Sequence, residues 1–273
     1  MEKRKGKPFI EILATSIHED YRFPILEVFA FLYAISTFVM QTTGGAFFYG
    51  MSAANEEAMA YQLVSVQAGT PLFIFLILIF KNVVYGFGSE FEKGTIQTLL
   101  SYPIKRHKIM TAKLLSATGI SLAIFLGIQI LSLFLMAPQT ISKYITTVII
   151  AYAAFLSYPL LITAILLLLT MKVRKGGLAL VFGIVLYFAL SMVSGTFTVL
   201  AIFTQNAAPL KALAVLEPSI AVQFYYTPLT GLQGGAIWTP CFNDVLMYLA
   251  GGYCLVIAAY AAAYYYFSRR LNI

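Results

Sequence analysis

Apolar positions run along this chain in six long blocks, divided by short charged or turn-forming stretches. The blocks fall at about 24–43, 63–84, 110–137, 144–171, 176–203 and 245–268. A helix that crosses the hydrocarbon layer of a bilayer needs roughly 20 such residues at about 1.5 Å rise each. Backbone groups in lipid must find their hydrogen bonds within the segment, so each block is predicted to be a helix. The strict alternation of a membrane barrel strand is absent. The expected fold is an all-α polytopic membrane protein, a single transmembrane domain over residues 1–273 with six spans.

Three segments lie outside the blocks. Pro8–Tyr21 sets Phe9, Leu13 and Ile17 four residues apart and predicts a helix lying in the membrane interface. Residues 86–108 form a charged connection between the second and third spans. Residues 204–244 are too apolar for a solvated loop yet are broken by Pro209, Pro218, Pro228 and Pro240. Short helices dipping into the outer leaflet are favoured there over an amphipathic cap, since irregular backbone is tolerated where protein covers it.

Composition supports lipid as the solvent. Of 273 residues, 60% are hydrophobic and 11% charged, against about 25% charged in a soluble domain. The net charge of +7 would raise nucleic acid as a partner, but its distribution answers that. All but Lys143 and Lys211 of the 18 lysines and arginines fall on one side of the predicted topology. Such a bias marks the cytoplasmic face, so both termini are expected there, in the cell membrane, with no nucleic acid bound. No cleavable leader is evident before the first block, which is expected to act as its own insertion signal. Tyr264, Tyr265, Tyr266 and Phe267 precede Arg269 and Arg270 as an inner aromatic belt; Trp238 and Tyr225–Tyr226 suit the outer border. Cys241 and Cys254 form no C-x-x-C pair and read as small packing residues.

Catalytic chemistry finds little to work with. There is no G-x-x-x-x-G-K-[ST] loop to cradle nucleotide phosphates. His18 and His107 both lie outside the blocks, and no acid pairing suits a metal. No catalytic residue, metal ligand or bound cofactor is expected on this chain. Glu27 is the only acid inside a predicted span and stands near its end; no acid is expected at mid-span. Glu27 either belongs to an intramembrane polar path or reaches headgroups or water; Gln41, Gln67 and Gln129 either line that path or bond neighbouring helices.

Residues 89–108 read SEFEKGTIQTLLSYPIKRHK. Read as one helix, Glu90–Leu100 places Phe91, Thr95 and Leu99 on one side beside Ile96 and Leu100, with Glu92, Lys93 and Gln97 elsewhere. Pro103 ends it, because a proline disfavours helix at the preceding residue. This is a short amphipathic element between two spans. It can seat in a groove on a soluble partner, or simply be a solvated loop whose basic residues set topology.

The pattern Glu90-x-Glu92-Lys93-Gly94-Thr95-x-x-x-Leu99-Leu100-Ser101-x-Pro103-x-x-Arg106 resembles the signature after the second span of ABC type-2 permeases, the membrane subunits of type V ABC exporters. Lys105 stands where serine is frequent in that family, and Lys113 is similar to its lysine at the start of span three. Leu216-Glu217-Pro218 followed by Phe224-Tyr225 is a looser likeness. The resemblance implies a permease with no ATPase of its own, pairing with a second permease subunit, identical or related. A cytosolic ABC ATPase, two copies in all, would dock on a coupling helix at 89–101 and carry the ATP and magnesium. Glu90, Glu92, Lys93, Gly94, Thr95, Leu99, Leu100, Ser101, Pro103 and Arg106 are the coupling residues it implies. A gradient-driven transporter or channel subunit remains a rival, as does a non-transporting assembly or immunity factor on the same scaffold. The first of these requires ionisable groups at mid-span or paired broken helices.

Overall fold

The structure, a computed structural model, describes residues 8–21, 25–49, 56–101, 104–230 and 235–270. Pro103, Arg22 and the lysines before Pro8 lie outside these. Helices α1 (Pro8–Asp20), α2 (Ile25–Tyr49) and α3 (Glu56–Ile79) come first. A π-helical turn, Phe80–Tyr85, then runs without a break into α4 (Gly86–Glu92), and α5 (Thr95–Ser101) follows. Next are α6 (Arg106–Met136), the short α7 (Pro138–Lys143), α8 (Ile145–Val173) and α9 (Gly176–Thr204). Helices α10 (Ala208–Leu216) and α11 (Ser219–Tyr226) precede a small antiparallel pair, β1 (Leu229–Thr230) and β2 (Ala236–Trp238). The last helix, α12 (Phe242–Tyr265), ends in a π-helical turn at Tyr266–Arg270.

Six of these helices are long and apolar enough to cross a membrane. The second crossing is longer than its apolar block, because α3 starts at Glu56 and the π turn carries the helix on to Glu92. Helix α8 is the centre of the bundle: 72% of its most apolar stretch is buried, against 17% for α9 and for α12. Hydrophobic on every side, it reads as a core helix, and its Pro159 sits inside an unbroken run. The outer helices leave wide apolar faces, Phe31, Val185, Met192 and Ile257 among them, to lipid or to another subunit. Both cysteines are free and face outward from the bundle, so neither packs the interior.

Helix α1 packs along α6. Its inner face is Ser16 and Asp20 with Ile12 and Leu13 half-buried, while Ile17 is exposed. The stripe runs one position off the expected one, because Ser116 of α6 gives Asp20 a polar partner on the inner face while Ile17 stays exposed.

The 204–244 segment does enter the bundle. Helices α10 and α11 form a hairpin whose tip is Glu217-Pro218, packed on α9 and α12. A Cβ placed on Gly252 would lie 2.5 Å from the Pro218 ring, and Ser194 reaches the Glu217 carboxylate. Each contact is some ten residues in from the near end of its span, about 15 Å of helix rise. Leu210, Leu213, Ile220, Phe224 and Trp238 make a separate small core under the hairpin.

Candidate functional site

The site with most structure around it is the connection between the second and third spans. It is two helices, not one. Helix α4 ends at Glu92, and Gly94 takes a left-handed conformation with φ +71°. The amides of Lys93 and Gly94 close back on Ser89 O (3.0 Å) and Phe91 O (3.3 Å). A glycine just past a helix end satisfies orphan carbonyls in this way. The continuous helix expected over 89–101 is therefore broken at Lys93–Gly94, and the surface element is α5 alone.

Three contacts hold the segment. Gly88 touches the start of α9 backbone to backbone: a Cβ on it would fall 2.1 Å from Gly176 Cα. The exposed Glu92 Oε1 accepts the Gly176 amide at 2.8 Å, which caps α9 and places a negative charge at its N-terminus. Glu90, on the inner side of α4, pairs with Lys113 of α6. Lys113 also reaches Glu19 of α1 at 3.5 Å. Side-chain exposure is 8% for Lys113, 19% for Glu90 and 53% for Glu19, so the lysine is the buried hub. Beside it Ser116 donates to Asp20. Burial pushes the Asp20 carboxyl up, opposed by the Ser116 hydroxyl and the charge of Lys113.

The remaining coupling candidates are spread over this face. Ile96 is fully buried, and Leu100 packs on the main core. Leu99 is half-buried; Thr95 and Ser101 are exposed and donate to Glu90 O (3.3 Å) and Thr98 O (2.7 Å). Lys93, Thr95, Thr98 and Leu99 line a cleft of about 420 Å³ together with Glu19, Asp20, Lys81 and Glu90. Arg106 opens α6 and lines a second recess with Tyr264 and Arg269. The end of α12 thus shares this face with α1, α5 and the α8–α9 turn.

The three glutamines converge, but not into a path. Gln67 Nε2 donates to Gln41 Oε1 at 2.8 Å, and Tyr152 bonds both Gln67 Oε1 and Gln129 Oε1 at 3.0 Å. Gln129 also donates to Tyr33 and to Gln67 O, and Ser132 donates to Gln41. Gln67, Gln129 and Ser132 are wholly buried. This is a buried knot tying α2, α3, α6 and α8. Glu27 is not part of it: it stands in the first turn of α2, roughly 21 Å of helix rise from Gln41.

Sequence reasoning missed three things. The Gly88–Gly176 contact joins residues far apart in the chain and has no local signal. Asn82, which donates to Ser121 at 3.0 Å, lies inside an apolar run. Most consequential is Glu217, since the expectation of no acid at mid-span treated it as part of an outer segment. Its proline, flanked by two short apolar runs, was the available clue.

Comparison with models of known protein families finds no match, and comparison with curated proteins finds none either.

Proposed function

We propose that this chain is the permease subunit of an ATP-binding cassette transporter, driven by a separate cytosolic ATPase that seats on α5. The observation that carries the reading is the seat itself. A two-turn helix with a buried Ile96 and exposed Thr95, Gln97 and Thr98 lies within the stretch that resembles the ABC type-2 signature. Across the Lys93–Gly94 break it follows α4, the end of the second span, which Gly88 and Glu92 tie to the fifth span and Glu90 to the third. Force on α5 would therefore reach three spans and α1 as one body. The described residues on its face include Lys93, Lys105, Arg106, Lys108, Lys172, Arg174, Lys175 and Arg269; Lys143 and Lys211 lie at the other end. That bias supports a cytoplasmic α5.

A photo-crosslinking residue at Gln97, used in cells, tests the reading. A covalent adduct with a P-loop ATPase is the expected result; adducts only with lipid or unrelated proteins would refute it. In the reconstituted pair, Glu92→Arg should leave ATP hydrolysis running while transport falls, because the α9 cap is replaced by a like charge at the positive helix end. One observation favours a second reading. Glu217 is an ionisable group deep in the bundle, the feature a gradient-driven transporter needs. Transport sustained in vesicles by an ion gradient without ATP would select it.

A further inference from the structure

The start of α6 and the end of α12 form a recess on the face that carries α5. Lys105, Arg106 and His107 line it together with Tyr264, Ser268 and Arg269, and it measures about 560 Å³. Among the described residues no acid lines it. The two helix ends are held side by side because α6 packs on the π-helical turn at Tyr266–Arg270. Like charges gathered in one recess repel each other, and an anion between them removes that cost. Guanidinium and ammonium donors suit phosphate oxygens in particular.

Tyr264 also lines a second space, an apolar groove of about 410 Å³ between α6, α8 and α12. Its other walls are Leu114, Leu115 and Leu122 of α6, Leu160 of α8 and Tyr260 of α12. Thr111 and Thr118 complete the α6 side. Each turns its hydroxyl back on its own helix, to His107 O at 2.8 Å and to Leu114 O. The Tyr260 hydroxyl is buried. The walls therefore offer hydrocarbon and ring carbon. From Thr111 to Leu122 α6 rises about 16 Å, which is half of a hydrocarbon core about 30 Å thick. The groove is open along the bundle surface, where Leu115 is 54% exposed.

A basic recess that continues into an apolar groove one leaflet deep has the two parts of a phospholipid, in the right order and at the right length. We propose that α6 and α12 form a binding site for an anionic phospholipid. Lys105, Arg106 and Arg269 hold its phosphate, and the groove over Leu115, Leu160 and Tyr260 takes an acyl chain. Tyr264 stands where headgroup and chain meet, the place of an interfacial aromatic. Charge selects the lipid class: basic pockets between spans favour anionic headgroups, whereas a zwitterionic lipid brings a cation that the recess repels. A lipid seated there ties the start of the third span to the end of the sixth. The site goes beyond the permease reading and does not depend on an ATPase.

The test is native mass spectrometry of the purified full chain, stripped of lipid and titrated with phosphatidylglycerol or with phosphatidylcholine of the same acyl chains. Phosphatidylglycerol should be retained the more tightly, and Lys105→Gln with Arg269→Gln should weaken it roughly tenfold or more. Lys172→Gln with Lys175→Gln, which removes two exposed charges from the α8–α9 turn on the same face, should change nothing. Leu115→Trp fills the groove, leaves every charge in place and should weaken binding several-fold. Glycerol phosphate, a headgroup without chains, should not displace the lipid at equal concentration. Equal retention of the two lipids, equal loss in the two charge variants, or displacement by glycerol phosphate overturns the site. So does binding to Leu115→Trp that matches the wild type. Crosslinking at Gln97 reads the ATPase partner independently, so failure of one result does not imply failure of the other.

Discussion

Two polar clusters lie inside this bundle, and they are built on opposite terms. The glutamine knot of Gln41, Gln67, Gln129, Tyr33 and Tyr152 is neutral and almost fully self-bonded; of its amide atoms Gln41 Nε2 has no partner among the described residues. The seat of α5 is charged and centres on Lys113, with Glu90, Glu19 and Asp20 around a cleft. Neutral groups that satisfy one another in a low-dielectric interior rigidify what they join. A charged hub whose outermost partner is half-exposed can exchange partners at modest cost, because water and incoming groups reach it. The first arrangement suits a part that must not move and the second a part that receives a push.

Mutation should separate the two. The largest effect is expected at the hub. Lys113→Met leaves Glu90 without its cation and should cost about 2–3 kcal/mol, below the 3–5 typical of a fully buried pair because Glu90 keeps some solvent. Adding Glu90→Gln should recover most of the loss; thermal unfolding in nanodiscs gives the cycle. A loss that persists in the double variant would mean the hub is packing and not charge. Next is the backbone seat. Gly88→Ala sets a methyl against the Gly176 backbone, which cannot rotate away, and should cost about 1–3 kcal/mol. Gly177→Ala, whose added methyl meets nothing within 4 Å, is the matched control and should be silent.

The knot should respond less to a single change than its burial suggests. Gln67→Leu removes the donor to Gln41 Oε1 and one acceptor of the Tyr152 hydroxyl, which keep Ser132 and Gln129 as partners, a loss of about 1–2 kcal/mol, with hydrogen bonds inside membranes averaging nearer 0.6. It should leave any ATPase coupling unchanged, whereas Lys113→Met should not. The smallest effect belongs to the exposed bridge at the other end, where Lys143 donates to Glu56. Hydrogen bonds from Lys143 and Tyr144 hold the Glu56 carboxyl below its ordinary range. A depressed carboxylate adds stability above its unfolded value and loses it as pH falls through the folded one, so any contribution disappears in acid. Lys143→Ala should be indistinguishable from wild type at neutral pH in ordinary salt. A pH-dependent difference near neutrality would contradict that assignment.

How much of this was written in the order of residues differs by region. Six apolar blocks with few charges admit no other solvent than lipid and no other backbone than helix, and all six are helices in the structure. The signature at 89–108 was legible as an amphipathic surface element. Its break was legible too, in Gly94, had the demand for a left-handed residue outweighed the helical spacing of the leucines.

The sequence alone settled what each segment is dissolved in, because twenty residues of side-chain polarity decide transfer into lipid one segment at a time. Only the tertiary structure decided which polar groups meet. Gln41 and Gln67, Glu92 and Gly176, and Glu217 and Ser194 are joined across helices, and spacing within a helix carries no information about the facing one. The depth of Glu217 is the clearest case: a hairpin of two short helices has the composition of a surface cap, and its packing against Gly252 is what lowers an acid into the bundle.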